Sequence, residues 1–118
     1  MKFLFVEYPK CSTCQKAKKW LDENGISYED RHIVDEKPTA EEIKKWQAKS
    51  GLPLKNFFNT SGLLYKSMQL KDRLPEMTEE EQRALLATNG MLVKRPIVVG
   101  EEFVLVGFKP EQWERLKG

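Results

Sequence analysis

Only two cysteines and one histidine occur among the 118 residues, and this scarcity excludes most metal chemistry at the outset. A structural zinc ion takes four ligands. Beside Cys11 and Cys14 the chain offers only His32, so no intramolecular zinc site, and no bound metal, is expected. Long apolar runs are also missing: nothing approaches the ~20 residues that a membrane-spanning helix requires. Charge of one sign is scarce as well. Twenty basic residues face 18 acidic ones, a net charge of +2, too little to draw nucleic acid by bulk electrostatics. Internal repeats, low-complexity tracts and interdomain linkers are absent, and the length suits one core, so residues 1–118 read as a single domain. No secretory leader pattern stands at the start. The expected location is therefore the reducing cytoplasm, where structural disulfides are rare.

What is present is concentrated in Glu7-Tyr8-Pro9-Lys10-Cys11-Ser12-Thr13-Cys14-Gln15, which holds both cysteines three positions apart. The apolar run Phe3–Val6 precedes it and a helical pattern from Lys16 to Asn24 follows. Cys11 is thus expected where a buried strand hands over to a helix N-terminus. Unpaired backbone N–H groups and the positive end of the helix dipole favour a thiolate there. Cys14, one turn further on, is placed to attack a disulfide or adduct on Cys11. A plain structural disulfide and a pair of inert buried thiols are the alternative readings. A Cys-x-x-Cys pair beside a strand–helix–strand pattern favours redox chemistry.

Lys2–Val6 reads as a buried first strand. A helix from Ser12 to Asn24 carries Cys14, Ala17 and Leu21 at helical spacing, and Gly25 stops it. A second strand within Ile26–Val34 returns parallel to the first. Thr39–Glu42 and Thr78–Glu81 are capping-box patterns that open helices. Gly51 ends the first of these helices and Gly90 the second. Pro53 opens a short helix with Leu54, Phe57 and Phe58, and Leu63–Leu74 is helical in part. Arg95–Val99 and Phe103–Val106 form an antiparallel hairpin around Gly100-Glu101-Glu102, and Pro110 starts a last helix with Trp113 and Leu116 inward. The fold class is therefore α/β: β-α-β, a helical insertion at about 39–92, then β-β-α, a thioredoxin-like mixed four-stranded sheet.

Four segments in this order, Tyr8–Cys14 with its CxxC, Phe57–Gly62, Lys94-Arg95-Pro96-Ile97 and Val106-Gly107-Phe108, make the chain resemble the arsenate-reductase-related (ArsC/Spx) family, and in particular its short CxxC-containing bacterial members. The resemblance runs over nearly the whole chain. It implies that Cys11 is the nucleophile. In thioredoxin-like folds a proline at the start of the third strand is cis and faces the redox cysteines. If Lys94-Arg95-Pro96-Ile97 is that element, Arg95 and the Pro96 turn lie beside Cys11; the sequence leaves the cis bond itself open. The arsenate reductases bind their oxyanion with three arginines. Arg95 matches one; Asn59 and Phe108 stand at the other two. Cys14 resembles instead the Spx regulators, whose CxxC is a disulfide switch and whose inserted helical block binds the RNA polymerase alpha subunit. Gly51 matches the glycine at that surface, but a helix-ending glycine needs no partner to explain it.

Three functional expectations follow. The first is a cytosolic thiol–disulfide oxidoreductase with Cys11 as nucleophile, Cys14 as resolving cysteine and Arg95 as the third site residue. It needs no bound cofactor and takes its electrons from glutathione or a thioredoxin-type reductant. The second is a redox-sensing regulator that partners RNA polymerase. The third is a glutathione- or thioredoxin-dependent arsenate reductase, with Arg95 as the remaining oxyanion clamp.

Overall fold

The computed structural model describes residues 2–117; the two ends of the expected 1–118 domain lie outside the described residues. The strands are β1 (Phe3–Glu7), β2 (Tyr28–His32), β3 (Ile97–Val99) and β4 (Val104–Val106). They form one sheet in the order β2-β1-β3-β4. β1 runs parallel to β2 and antiparallel to β3, and β3 runs antiparallel to β4. This is the mixed four-stranded, thioredoxin-like arrangement expected from the sequence. β1 is covered on both faces, Val6 packing into one core layer and Phe5 into the other, which is why its apolar run is continuous.

The helices are α1 (Ser12–Glu23), α2 (Ala40–Ser50), α3 (Leu63–Ser67), α4 (Leu70–Arg73), α5 (Glu79–Leu86) and α6 (Pro110–Trp113), with short 3₁₀ turns at Leu54–Phe57, Leu74–Glu76, Gly90–Leu92 and Glu114–Lys117. Both capping boxes form reciprocally, Thr39 with Glu42 and Thr78 with Glu81. Gly51 takes a left-handed φ of 70° as the C-cap of α2, which accounts for that glycine by conformation alone. Gly90 does not close α5, contrary to the sequence reading. The helix ends at Leu86. At Gly90 a Cβ would sit 1.9 Å from the Ile33 carbonyl oxygen, so glycine is required there for close backbone approach.

Alternation along the strands sorts the core into two layers. Val6, Ile97 and Val104 point to one face and join Ile43, Trp46, Leu54, Phe57, Leu70 and Leu86 from the helical segment between β2 and β3. Phe5, Val98 and Leu105 point to the other and join Ala17 and Leu21 of α1 with Trp113 and Leu116 at the C-terminal end. β2 is tied to α2 by a bidentate ion pair, Arg31 Nη1 and Nη2 donating to Glu42 Oε2 and Oε1 at 2.7 and 2.8 Å.

Candidate active site

The chain leaves β1 at Glu7 and turns sharply into α1. The Cys11 amide donates to the Tyr8 carbonyl at 2.9 Å, and Gln15 Nε2 reaches back to the Pro9 carbonyl at 2.9 Å, so the loop is pinned at both ends. Cys11 is the N-cap of α1, with extended backbone (φ −82°, ψ 122°), so its sulfur stands at the open first turn of the helix. Cys14 lies one turn inside, 1% exposed, at the head of the buried stripe Cys14, Ala17, Leu21. Both are free thiols, so the structure describes the dithiol form.

The two sulfurs stand in opposite electrostatic settings. Partial burial works against ionisation of Cys11. The backbone N–H of Cys14, the Cys14 thiol, the Thr13 N–H and the Arg95 charge outweigh it and hold the Cys11 pKa below the ordinary thiol value. Cys14 is pushed up to about 12, first by burial. The Tyr8 backbone opposes the rise, and the neighbouring Cys11 and Glu7 groups reinforce it. Cys14 thus stays protonated while Cys11 is the more acidic thiol of the pair.

Cys11 opens onto a groove of about 1140 Å³ whose charged lining residues, Lys55, Lys94, Arg95 and Lys109, are all cationic. Arg95 follows the 3₁₀ turn at Gly90–Leu92 and precedes a cis bond to Pro96. Its Nη1 donates to the Met91 and Val93 carbonyls, both at 3.3 Å, and its guanidinium lies over the Tyr8 ring at 5.3 Å. Arg95 Nε is buried without a hydrogen-bond partner. Asn59 and Phe108 line the same groove. An isolated bridge between Phe58 and Val93, flanked by Asn59 N–H to Leu92 O (2.8 Å) and Lys94 N–H to Phe57 O (2.8 Å), joins the Asn59 loop to the Arg95 strand. A single bridge has no sequence signature, and the sequence reading missed it. Phe108 is fixed edge-on to Trp113 (centroids 4.9 Å apart) and to Trp20 (6.5 Å), so it forms a settled apolar wall.

The structure therefore brings Cys11 and Arg95 together in the groove and sets Cys14 beneath it. His32 is occupied elsewhere: its Nδ1 accepts from the Val34 and Asp35 amides, both at 3.1 Å. Among the described residues no cluster of three or more His, Cys, Asp or Glu side chains could hold a metal ion. Among them, too, no helix is long and apolar enough to cross a membrane. Sequence reasoning passed over Glu7, 4% exposed and the only buried charged residue among those described. The period of two puts Phe3, Phe5 and Glu7 on one face of β1, but which face α1 covers is not written in that motif.

The ArsC family model matches residues 6–116. An ArsC family related protein from Bacteroides fragilis, known by crystal structure, is 69% identical, superposes with a TM-score of 0.96, and the match covers 98% of each chain. The uncharacterized protein YusI of Bacillus subtilis is 52% identical over 97% of each chain. The global transcriptional regulator Spx of Staphylococcus haemolyticus is 31% identical over 91% of this chain and 80% of its own length.

Proposed function

This chain belongs to the ArsC family, and we propose that within it the protein is a thiol–disulfide oxidoreductase with Cys11 as nucleophile and Cys14 as resolving thiol. The observation that carries this reading is the asymmetry of the pair. One sulfur is acidified at a helix N-terminus and faces a groove; the other is neutral, buried and one turn behind it. The Cys11 thiolate attacks one sulfur of a substrate disulfide, forming a Cys11–substrate mixed disulfide and expelling the other half as a thiolate. Cys14 then loses its proton and attacks the Cys11 sulfur. A Cys11–Cys14 disulfide forms and the second half of the substrate leaves as a thiolate. The substrate has gained two electrons and the protein has lost two. A low-molecular-weight thiol such as glutathione, or a thioredoxin-type dithiol, returns them by the reverse exchange. Arg95 lends positive charge to the Cys11 thiolate and holds an unpartnered Nε in reserve.

The groove supports a disulfide carried on an acidic or partly apolar molecule, since its charges are cationic and Phe108 and Tyr65 are among its lining residues. Arsenate fits less well. Asn59 is neutral and Phe108 is apolar at positions where the resemblance places oxyanion-binding arginines. Each missing charged hydrogen bond weakens anion binding by about 1.5–3 kcal/mol. The experiment is turnover of a disulfide panel beside arsenate, with glutathione or thioredoxin as reductant. The expected result is disulfide turnover that stops in Cys11→Ser and stalls as a mixed disulfide in Cys14→Ser. Arsenate reduction that survives Arg95→Ala contradicts the reading.

A second reading is supported by the likeness to Spx: the same dithiol serves as a redox switch on a protein that engages the RNA polymerase alpha subunit. Binding of purified alpha subunit that differs between the dithiol and disulfide forms, without disulfide turnover, favours it over the enzyme.

A further inference from the structure

Glu7 is the last residue of β1 and continues the row of Phe3 and Phe5 on the face that α1 covers. On α1 the residues turned to that face begin with Cys14. Lys18, four residues on, reaches past the sheet edge to pair with Asp30 of β2 (Nζ to Oδ2, 3.0 Å). Asp30 pairs in register with Phe5, two residues before Glu7 on the same side, so the two carboxyls share one face of the sheet and each displaces the other's ionisation. A line of groups thus runs from the buried Cys14 thiol, past the buried Glu7 carboxyl, to the Asp30 carboxylate and the Lys18 ammonium at the surface. Glu7 has no cation of its own among its hydrogen-bond partners. Burying a carboxyl there has a cost with no structural return. The dithiol chemistry proposed above leaves one step without an agent: Cys14 is walled off from solvent and must lose a proton before it can attack.

We propose that Glu7 is the proton acceptor for Cys14 during resolution of the mixed disulfide, and that Asp30 passes the proton on to solvent. The inference rests on the oxidoreductase reading of the pair. The step balances: the Cys14 S–H proton moves to the Glu7 carboxylate, directly or through one water. The Cys14 thiolate forms a bond to the Cys11 sulfur, the Cys11–substrate S–S bond breaks, and the substrate leaves with the electron pair as a thiolate. Glu7 then returns to carboxylate by giving its proton to Asp30 and from there to water. The groups that face Glu7 are Cys14 and Lys18 from α1 and Asp30 and its neighbour His32 from β2. Burial first, then the neighbouring Asp30 carboxyl, raise Glu7 to about 7, against the Lys18 charge. An acceptor with that value is half ionised at neutral pH, where proton exchange with solvent is most effective.

The test uses the aromatic disulfide dithiobis(nitrobenzoate), which releases one coloured thiolate when Cys11 attacks and a second when Cys14 resolves. In the wild type the second release should speed up as pH rises through about 7 and then level off. Glu7→Gln should slow it by roughly tenfold to a hundredfold at neutral pH, remove the levelling, and let the Cys11 adduct accumulate for mass spectrometry. Asp30→Asn, at the solvent edge, should move the inflection to lower pH by removing the negative partner. A Glu7→Gln protein that resolves at the wild-type rate with the wild-type profile overturns the relay, as does an Asp30→Asn inflection that stays in place. A wild type that releases only one thiolate overturns the dithiol reading itself, and the relay with it.

Discussion

The two faces of the sheet are made by the same strands in alternation, yet they are used differently. On one face Val6, Ile97 and Val104 meet Ile43, Phe57, Leu70 and Leu86, and every buried member is apolar. On the other face Phe5, Val98 and Leu105 meet Ala17, Leu21 and Trp113, but the rows end in Glu7 and Cys14, a carboxyl and a thiol. The first face can be packed for stability alone. The second gives up apolar contact at the mouth of α1 and gains two titratable groups whose pKa values are displaced upward by burial. Cys11, on the same turn but at the helix end, moves downward instead. Distance from the helix N-terminus and from solvent, a single turn in each case, separates the two thiols.

The comparison predicts different consequences on the two sides. The largest effect belongs to the apolar face. Phe57 is fully buried, and Phe57→Ala should cost about 3–5 kcal/mol of unfolding free energy in urea titration, while Cys11 in the remaining folded protein alkylates with an unchanged pH profile. A changed Cys11 profile would show that the two faces are not separable.

Next comes Glu7. Its folded-state pKa lies above its unfolded value, so its contribution is fully present below about 4.5 and is lost as pH rises through about 7. Glu7→Gln does not titrate. The stability advantage of Glu7→Gln over the wild type should therefore grow across that window, by up to about 3 kcal/mol at roughly 1.4 kcal/mol per pH unit of displacement. Paired urea titrations at acid and mildly alkaline pH measure it. A gap that does not change with pH removes Glu7 from the set of displaced groups.

Thr39→Ala breaks the α2 capping box on the apolar side and should cost about 1 kcal/mol, with no change in thiol reactivity. The smallest effect is that of Arg95→Ala on Cys11. Its charge ranks after the backbone N–H groups and the Cys14 thiol as a cause of the lowered pKa. The alkylation midpoint should move up, but stay below that of a free thiol.

Much of this was legible in the sequence because local rules fix it. The capping boxes at Thr39 and Thr78, the stripe Cys14, Ala17, Leu21 and the hairpin around Gly100 all express spacing over a few residues, and the structure reproduces them. Cys11 at the head of α1 was readable for the same reason. What escaped depends on contacts between distant segments. Gly90 looked like a helix stop, and only the approach of Ile33 shows why it is glycine. The Phe58–Val93 bridge that joins the Asn59 loop to Arg95 involves one residue from each segment. Glu7 sat inside the quoted motif, but its burial depends on which face α1 covers, and the motif alone does not carry that.

The central claim is that one turn of helix makes two chemically identical thiols unlike. Alkylation of the wild-type dithiol with iodoacetamide across pH, with each cysteine followed by mass spectrometry of its own peptide, tests it most directly. The account predicts that Cys11 reacts with a midpoint below the ordinary thiol value of about 8.5, while Cys14 stays unmodified across the same range. Two cysteines that react together with a midpoint near that ordinary value, or Cys14 reacting first, would contradict it.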